Sequence, residues 1–246
     1  MEQHDVVSRE HWLAARKALL LKEKALTRMN ERLAAERRAL PWVKIDKPYV
    51  FESETGKMTL GDLFEGRSQL IVRHFMLGPG WKAGCVGCSF GSDHDQGALV
   101  HLRNHDVAFV NISRAPLPEI QAYKRRMGWT IPWVSSFGSD FNYDFNVSFR
   151  EEDGQSFYNY TMRDFSSDEL PGVSVFLKDE SGAIYHTYSC FARGDEAATS
   201  AFFYLDLTPK GRNENGPHKN LMDWVKRHDE YESAATASCC GNAAAQ

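Results

Sequence analysis

The chain has little of what would mark a secreted, membrane-spanning or nucleic-acid-binding protein. No apolar run approaches the roughly 18 residues that a spanning helix needs. Residues 1–10 are polar and lack the apolar core of a signal peptide, so the expected compartment is the cytosol. The formal net charge is only -4, which gives the molecule no general pull toward nucleic acid or an anionic membrane, and neither partner is expected. Cysteine is scarce and odd in number: the five are Cys85, Cys88, Cys190, Cys239 and Cys240. That count argues against a structural disulfide framework and leaves reactive thiols or metal ligation. No second C-x-x-C or Cys/His pair at zinc-ribbon spacing follows the first.

What is present is ordinary globular composition, 42% apolar and 25% charged, over 246 residues. That length suits one packed domain with extensions. Residues 8–39 read as one long helix, with Ser8 as N-cap and no Gly or Pro before Pro41. Trp12, Leu19, Leu26 and Leu33 recur every seven residues and form an apolar seam. The seam is expected to pack on the domain or on a second copy, giving a homo-oligomer. The nine Lys/Arg and four Glu of segment 8–38 are expected to form a solvated face.

Beyond Pro41 strands and helices alternate. Residues 49–51 read as a short strand and 59–64 as a helical turn. Residues 69–76 (QLIVRHFM) are a nearly continuous apolar run, as for a central strand buried on both faces. Gly78, Pro79 and Gly80 break it. The Cys85/Cys88 pair follows, with helical sequence to about Asn104, a buried strand at 107–112 and a helix at 118–128. Phe141, Tyr143, Phe145, Val147 and Phe149 alternate at the period of a half-buried strand, with 157–160 as its return after the Asp153–Gly154 turn. Residues 173–177 and 184–189 read as a hairpin around Gly182. A last helix is expected at 218–231, before a disordered tail. Trp129, Trp133 and Phe137 are expected in the core.

The order strand, Gly/Pro loop, C-x-x-C, helix, strand has a specific chemical use. Free N–H groups and the positive end of the helix dipole stabilise a thiolate on Cys85. Cys88 lies one turn on, along the same face, and can attack a mixed disulfide formed by Cys85. Lys82 adds positive charge nearby. His74 ends the central strand; it is either a proton carrier for exchange or a satisfied core histidine. His94, His101 and His105 share a helix face but lack the acidic residue of an H-E-x-x-H site, so a solvated face is expected. Cys190 is expected to pack in the interior. Cys239–Cys240 could relay electrons, bind a soft metal or do neither.

At this point the sequence resembles the thioredoxin superfamily. The resemblance rests on 70–75, Trp81, Cys85, Cys88 and 170–176 (LPGVSVF). Over 42–231 it resembles a bacterial family of uncharacterised thioredoxin-like proteins described as predicted dithiol-disulfide oxidoreductases, most specifically in His74-Phe75-Met76, GCVGCSF (84–90), DLTPKGR (206–212) and WVKRHDEY (224–231). The resemblance implies an α/β fold with a thioredoxin-like central sheet flanked by helices, carrying the long N-terminal helix (1–41) and a C-terminal helical extension (209–246) around a domain at 42–208. It also implies a cis Leu170–Pro171 bond, with Pro171 as the platform that aligns a partner disulfide. The expected partner is a disulfide-bearing protein or small disulfide, with no cofactor and no metal. Two features depart from the superfamily: Trp81 is four residues ahead of Cys85, and Val86-Gly87 stand between the cysteines. The alternative is a metal- or partner-binding module that uses Cys85 and Cys88 as ligands.

Overall fold

The computed structural model of the chain describes residues 4–231; Cys239 and Cys240 lie outside them. Helix α1 (Arg9–Arg38) runs unbroken, its first turn capped by the Ser8 hydroxyl, which accepts from the His11 N–H. The seam is present but uncovered. Trp12, Leu19, Leu26 and Leu33 are 52%, 50%, 61% and 41% exposed, and no α1 residue is buried among the described residues. The expectation that the seam packs on its own domain is therefore overturned.

Short β1 (Val43–Lys44) follows, then the hairpin of β2 (Val50–Ser53) and β3 (Gly56–Thr59), and a 3-10 turn at Asp62–Phe64. The Asp62 carboxylate starts that turn by accepting both the Thr59 N–H and its hydroxyl. Next come β4 (Gln69–His74), α2 (Val86–Asn104), β5 (Val107–Ser113), α3 (Leu117–Arg126), β6 (Trp133–Ser135) and the one-turn α4 (Phe141–Asp144). The ribbon β7 (Gln155–Tyr158)–β8 (Thr161–Asp164), the hairpin β9 (Gly172–Lys178)–β10 (Ile184–Phe191) and α5 (Ser200–Asp206) complete the regular elements.

Eight strands form one mixed sheet in the order β1-β10-β9-β4-β5-β6-β2-β3. β4, β5 and β6 are parallel, and β9 returns antiparallel beside β4. A parallel β4–β5 pair needs a crossover, which α2 supplies. This is the α/β, thioredoxin-like arrangement that the sequence resemblance implies.

Alternation along β4 divides its side chains between two layers. Leu70, Val72 and His74 face a core with Phe51, Phe64, Phe141, Phe145 and Phe176. Arg73 and Phe75 face α2 and α3. Phe75 packs with Cys88, Tyr123, Trp129 and Trp133. Arg73 is buried and donates to Asp95 on α2 and to Asp195 beyond β10. A Cβ at Gly91 would lie 3.1 Å from the Arg73 Nη1. A mid-helix Gly costs about 1 kcal/mol relative to Ala; here it lets the guanidinium fit beneath α2.

Two expected elements are not formed. Residues 141–149 are not a strand. Alternate positions include i, i+4 pairs, and Phe141 and Phe145 use that spacing to bury one face of a helical turn. Asn146 then takes a left-handed φ of 56°, and the Asn142 carbonyl accepts from the N–H groups of Val147 and Ser148. Phe157 and Tyr158 accordingly pair with β8, through a turn in which Asn159 and Tyr160 both have positive φ. The expected helix at 218–231 is instead two 3-10 turns, Leu221–Asp223 and His228–Glu230. Side chains compete with the helix there: Asp223 accepts from the N–H groups of Gly216 and His218, and Asn220 from that of Met222. Trp129 and Trp133 are buried as expected, but Phe137 is 53% exposed.

The seam of α1 remains an expected contact between copies. A Leu19→Glu, Leu26→Glu chain should sediment at the monomer mass while the unaltered chain sediments above it. Identical masses at equal concentration would show that no second copy covers the seam.

Candidate functional site

β4 ends at His74, and the chain crosses Gly78, Pro79 and Gly80 before turning into α2. Cys85 is the N-cap of α2, with φ -53° and ψ 138°. One backbone bond holds it beside the strand end, its N–H donating to the Met76 carbonyl at 3.0 Å, and another starts the helix, its carbonyl accepting from the Ser89 N–H at 2.9 Å. The Ser89 hydroxyl also donates to that carbonyl, and it bonds the Tyr123 hydroxyl at 2.7 Å. Gly84 has no room for a side chain, since a Cβ would fall 2.4 Å from the Phe75 ring. The loop is thus pressed onto the aromatic core of Phe75 and Tyr123.

The two sulfurs occupy different surroundings. Cys85 is half-buried; Cys88 is buried one turn inside α2, where the Met76 N–H points at its sulfur from 3.5 Å. The Cys88 thiol donates to Cys85, and this bond does most to pull the Cys85 thiol down, to about 6, against the opposing effect of burial. The N–H groups of Cys88 and Gly87 and the charge of Arg227 act in the same direction. Cys88 moves the opposite way: its bond to Cys85, burial and the Cys85 charge push it well up.

Arg227 is a residue that sequence reasoning missed. Its Nε and Nη2 donate to the Gly84 carbonyl at 3.0 and 2.6 Å, reaching a partner 143 positions away. Nearby contacts hold its segment down. His228 bonds Asp93 on α2, Arg126 of α3 pairs with Asp229 and Glu230, and the Trp224 ring packs edge-on against Phe90. The WVKRHDEY stretch could have signalled this, because a conspicuous basic and aromatic segment after the last strand needs a docking place.

The other expected site residues separate. Lys82 is exposed and, with Trp81, Glu119 and Arg126, lines a cleft of about 270 Å³ between the Cys85 loop and α3. His74 lies on the sheet face turned away from α2. Its Nε2 bonds the Ser174 hydroxyl at 2.8 Å, its Nδ1 has no partner, and burial drives it down to about 3. It is a neutral core histidine. Leu170–Pro171 is trans, as is every peptide bond among the described residues, so the expected cis platform is absent. The chain enters β9 already extended: Leu170 donates to the Val147 carbonyl, and Glu169 bridges to Ser148. The Pro171 carbonyl accepts from Tyr158. His94 is tied to the Phe90 carbonyl and the Ala201 N–H, joining α2 to α5. Cys190 is half-buried on β10, beside a separate cavity of about 590 Å³. Among the described residues, no three His, Cys, Asp or Glu side chains converge as metal ligands, and no helix is long and apolar enough to cross a membrane.

Two expectations follow. Because the Cys85 thiolate persists down to about pH 6, iodoacetamide should label Cys85 at that pH well before Cys88 or Cys190. Arg227→Gln should move the midpoint of its labelling-rate profile upward; an unchanged midpoint would show that Arg227 does not reach the thiolate. His74 bears on stability. Its folded pKa is below the unfolded value, so the unfolded chain binds the extra proton and stability falls as pH drops from 6.5 toward 3. One such proton is worth about 1.4 kcal/mol per pH unit. His74→Asn should flatten the urea-unfolding trend between pH 6.5 and 4 by about that slope.

Comparison with solved structures gives distant likenesses. The peroxidoxin BcpB of Mycobacterium tuberculosis is 11% identical with a TM-score of 0.42, the match covering 68% of this chain and 97% of that one. A Xanthomonas campestris peroxiredoxin Q is 13% identical with a TM-score of 0.42, covering 67% and 96%. A putative protein disulfide isomerase of Bacteroides thetaiotaomicron is 17% identical with a TM-score of 0.38, covering 74% and 99%. No curated protein matches the chain. The family model for the bacterial protein of unknown function DUF899 matches residues 1–231, the whole span from α1 to the segment that carries Arg227, and the chain belongs to that family.

Proposed function

We propose that the protein is a thiol–disulfide oxidoreductase. The observation that carries this reading is the asymmetry of the pair: a half-buried, acidic Cys85 at the start of α2, and a buried, weakly acidic Cys88 one turn inside. The Cys85 thiolate attacks one sulfur of a substrate disulfide. A Cys85–substrate bond forms, the substrate S–S bond breaks, and the departing thiolate takes a proton from water. Cys88 then loses its proton and attacks the Cys85 sulfur, releasing the second substrate thiolate and leaving a Cys85–Cys88 disulfide. The substrate gains two electrons and the pair loses two.

The electrostatics order these steps. In the reduced pair, Cys88 is held protonated chiefly by its bond to the Cys85 thiolate and by burial, with the thiolate charge adding to both. Once Cys85 is bonded to substrate that charge is gone, so forming the mixed disulfide itself makes Cys88 a better acid and hence a nucleophile. The cleft lined by Trp81, Lys82 and Tyr123, on the loop that leads into Cys85, supports a partner chain docking there.

The test is trapping. Cys85→Ser should abolish reduction of a model disulfide. Cys88→Ser should accumulate a mixed disulfide on Cys85, seen as added mass that dithiothreitol removes. If Cys88→Ser turns over normally, or both variants merely lose a bound metal ion while the unaltered chain shows no exchange, the oxidoreductase reading is wrong and the ligand reading replaces it.

A further inference from the structure

Strand β1 pairs with β10 only at Tyr185 and His186. Beyond them β10 runs beside the cavity of about 590 Å³, and a second cavity of about 270 Å³ adjoins it; His186, Ser189, Tyr160 and Phe191 line both. The walls are aromatic and held in place. The Tyr160 ring packs edge-on against Phe191 at 5.5 Å, and its hydroxyl donates to the Ser189 carbonyl at 2.8 Å. Leu40, Val43 and Tyr160, which line the larger cavity, are left exposed. Apart from His186, no acidic or basic residue among the described residues lines that cavity. The carboxylate that lines the smaller one, Asp144, is already held by Lys47 and Tyr49.

His186 gives this wall a defined acceptor. Burial pulls it below the ordinary histidine value, so the ring is neutral at neutral pH, with one donor and one acceptor nitrogen. Its Nε2 lies 3.0 Å from the Tyr188 carbonyl, which can only accept, so Nε2 carries the proton and Nδ1 the lone pair. The same N–H reaches the Ser189 hydroxyl at 2.7 Å, from which the chain continues through Ser174 to His74. No donor among the described residues reaches His186 Nδ1, and that atom stays open to solvent.

We propose that this cavity is a binding site for a flat, uncharged hydroxyarene whose O–H donates to His186 Nδ1. Aromatic walls take a ring, and a lining with no free charge gives an ion nothing to replace its water. An acceptor covered by a ligand that cannot donate is left unpaired, so the site rejects the same ring without its O–H. The site is separate from the dithiol. His186, Ser189 and Phe191 pair with Phe176, Ser174 and Gly172, so they point to the sheet face turned away from α2. Cys190 lines the larger cavity and reports on its occupancy.

The experiment uses the full-length reduced chain with 2-naphthol as probe, followed by calorimetry and by the rate at which N-ethylmaleimide labels Cys190, read by peptide mapping. The probe should saturate one site per chain and slow labelling of Cys190. 2-Methoxynaphthalene, which lacks the donor, and 2-naphthoate, an anion, should each bind about tenfold more weakly or worse. His186→Leu should bind 2-naphthol and 2-methoxynaphthalene alike. The comparison of ligands on the unaltered chain decides the matter even where that variant fails to fold. No saturable binding of 2-naphthol, equal affinity for the methyl ether, tighter binding of the naphthoate, or binding that leaves Cys190 labelling unchanged would overturn the proposal.

Discussion

A positive charge buried under a helix sets the geometry of this molecule. Arg73 points from the central strand into the layer between sheet and α2, where its guanidinium meets Asp95 on the helix and Asp195 in the 3-10 helix Ala192–Ala198 beyond β10. Removing one member of a buried pair typically costs about 3–5 kcal/mol, because the charge left behind has no water. The contact therefore ties strand, helix and late loop into one arrangement and penalises alternatives in which α2 slides or turns. Gly91 is part of the same constraint, since the guanidinium takes the space a side chain would fill. Cys85 caps the start of that helix, so its sulfur inherits its place from an ion pair ten residues along the chain.

The two faces of β4 have separate work. On one, Phe75 and Tyr123 press the Gly84–Cys85 loop into position, and the sulfur chemistry sits above them. On the other, His74 joins Ser174, Ser189 and His186 in a buried chain of polar contacts surrounded by phenyl rings. The sheet stands between that histidine and the thiols. Adjacency in sequence, His74 beside Phe75, is opposition in space because neighbouring residues of a strand point to opposite faces.

What was legible in the sequence was what local pattern and local breaks determine. The run at 69–76 could be read as a central strand because it is apolar throughout and ends on Gly78-Pro79-Gly80; α2 followed from the cysteine pair, and the β9–β10 hairpin from Gly182. The turn at 141–145 is not legible locally, because a two-residue period contains the four-residue spacing of a helix, and only the surrounding phenyl rings decide between them. Pro171 resembled a platform proline, but the bridge between Ser148 and Glu169 brings it into β9 extended. Arg227 was out of reach for a different reason: nothing within ten residues of it shows that its partner is a carbonyl at Gly84. The same applies to α1, whose heptad was plain while its cover was not.

The placement of Arg227 also has a consequence in time. Cys85, Cys88 and the strand and helix that hold them are synthesised more than a hundred residues before Arg227. A nascent chain can form β4 and α2 and carry a dithiol before the guanidinium exists to sit on Gly84. The pair thus acquires the positive charge of Arg227 only after every strand of the sheet has been made.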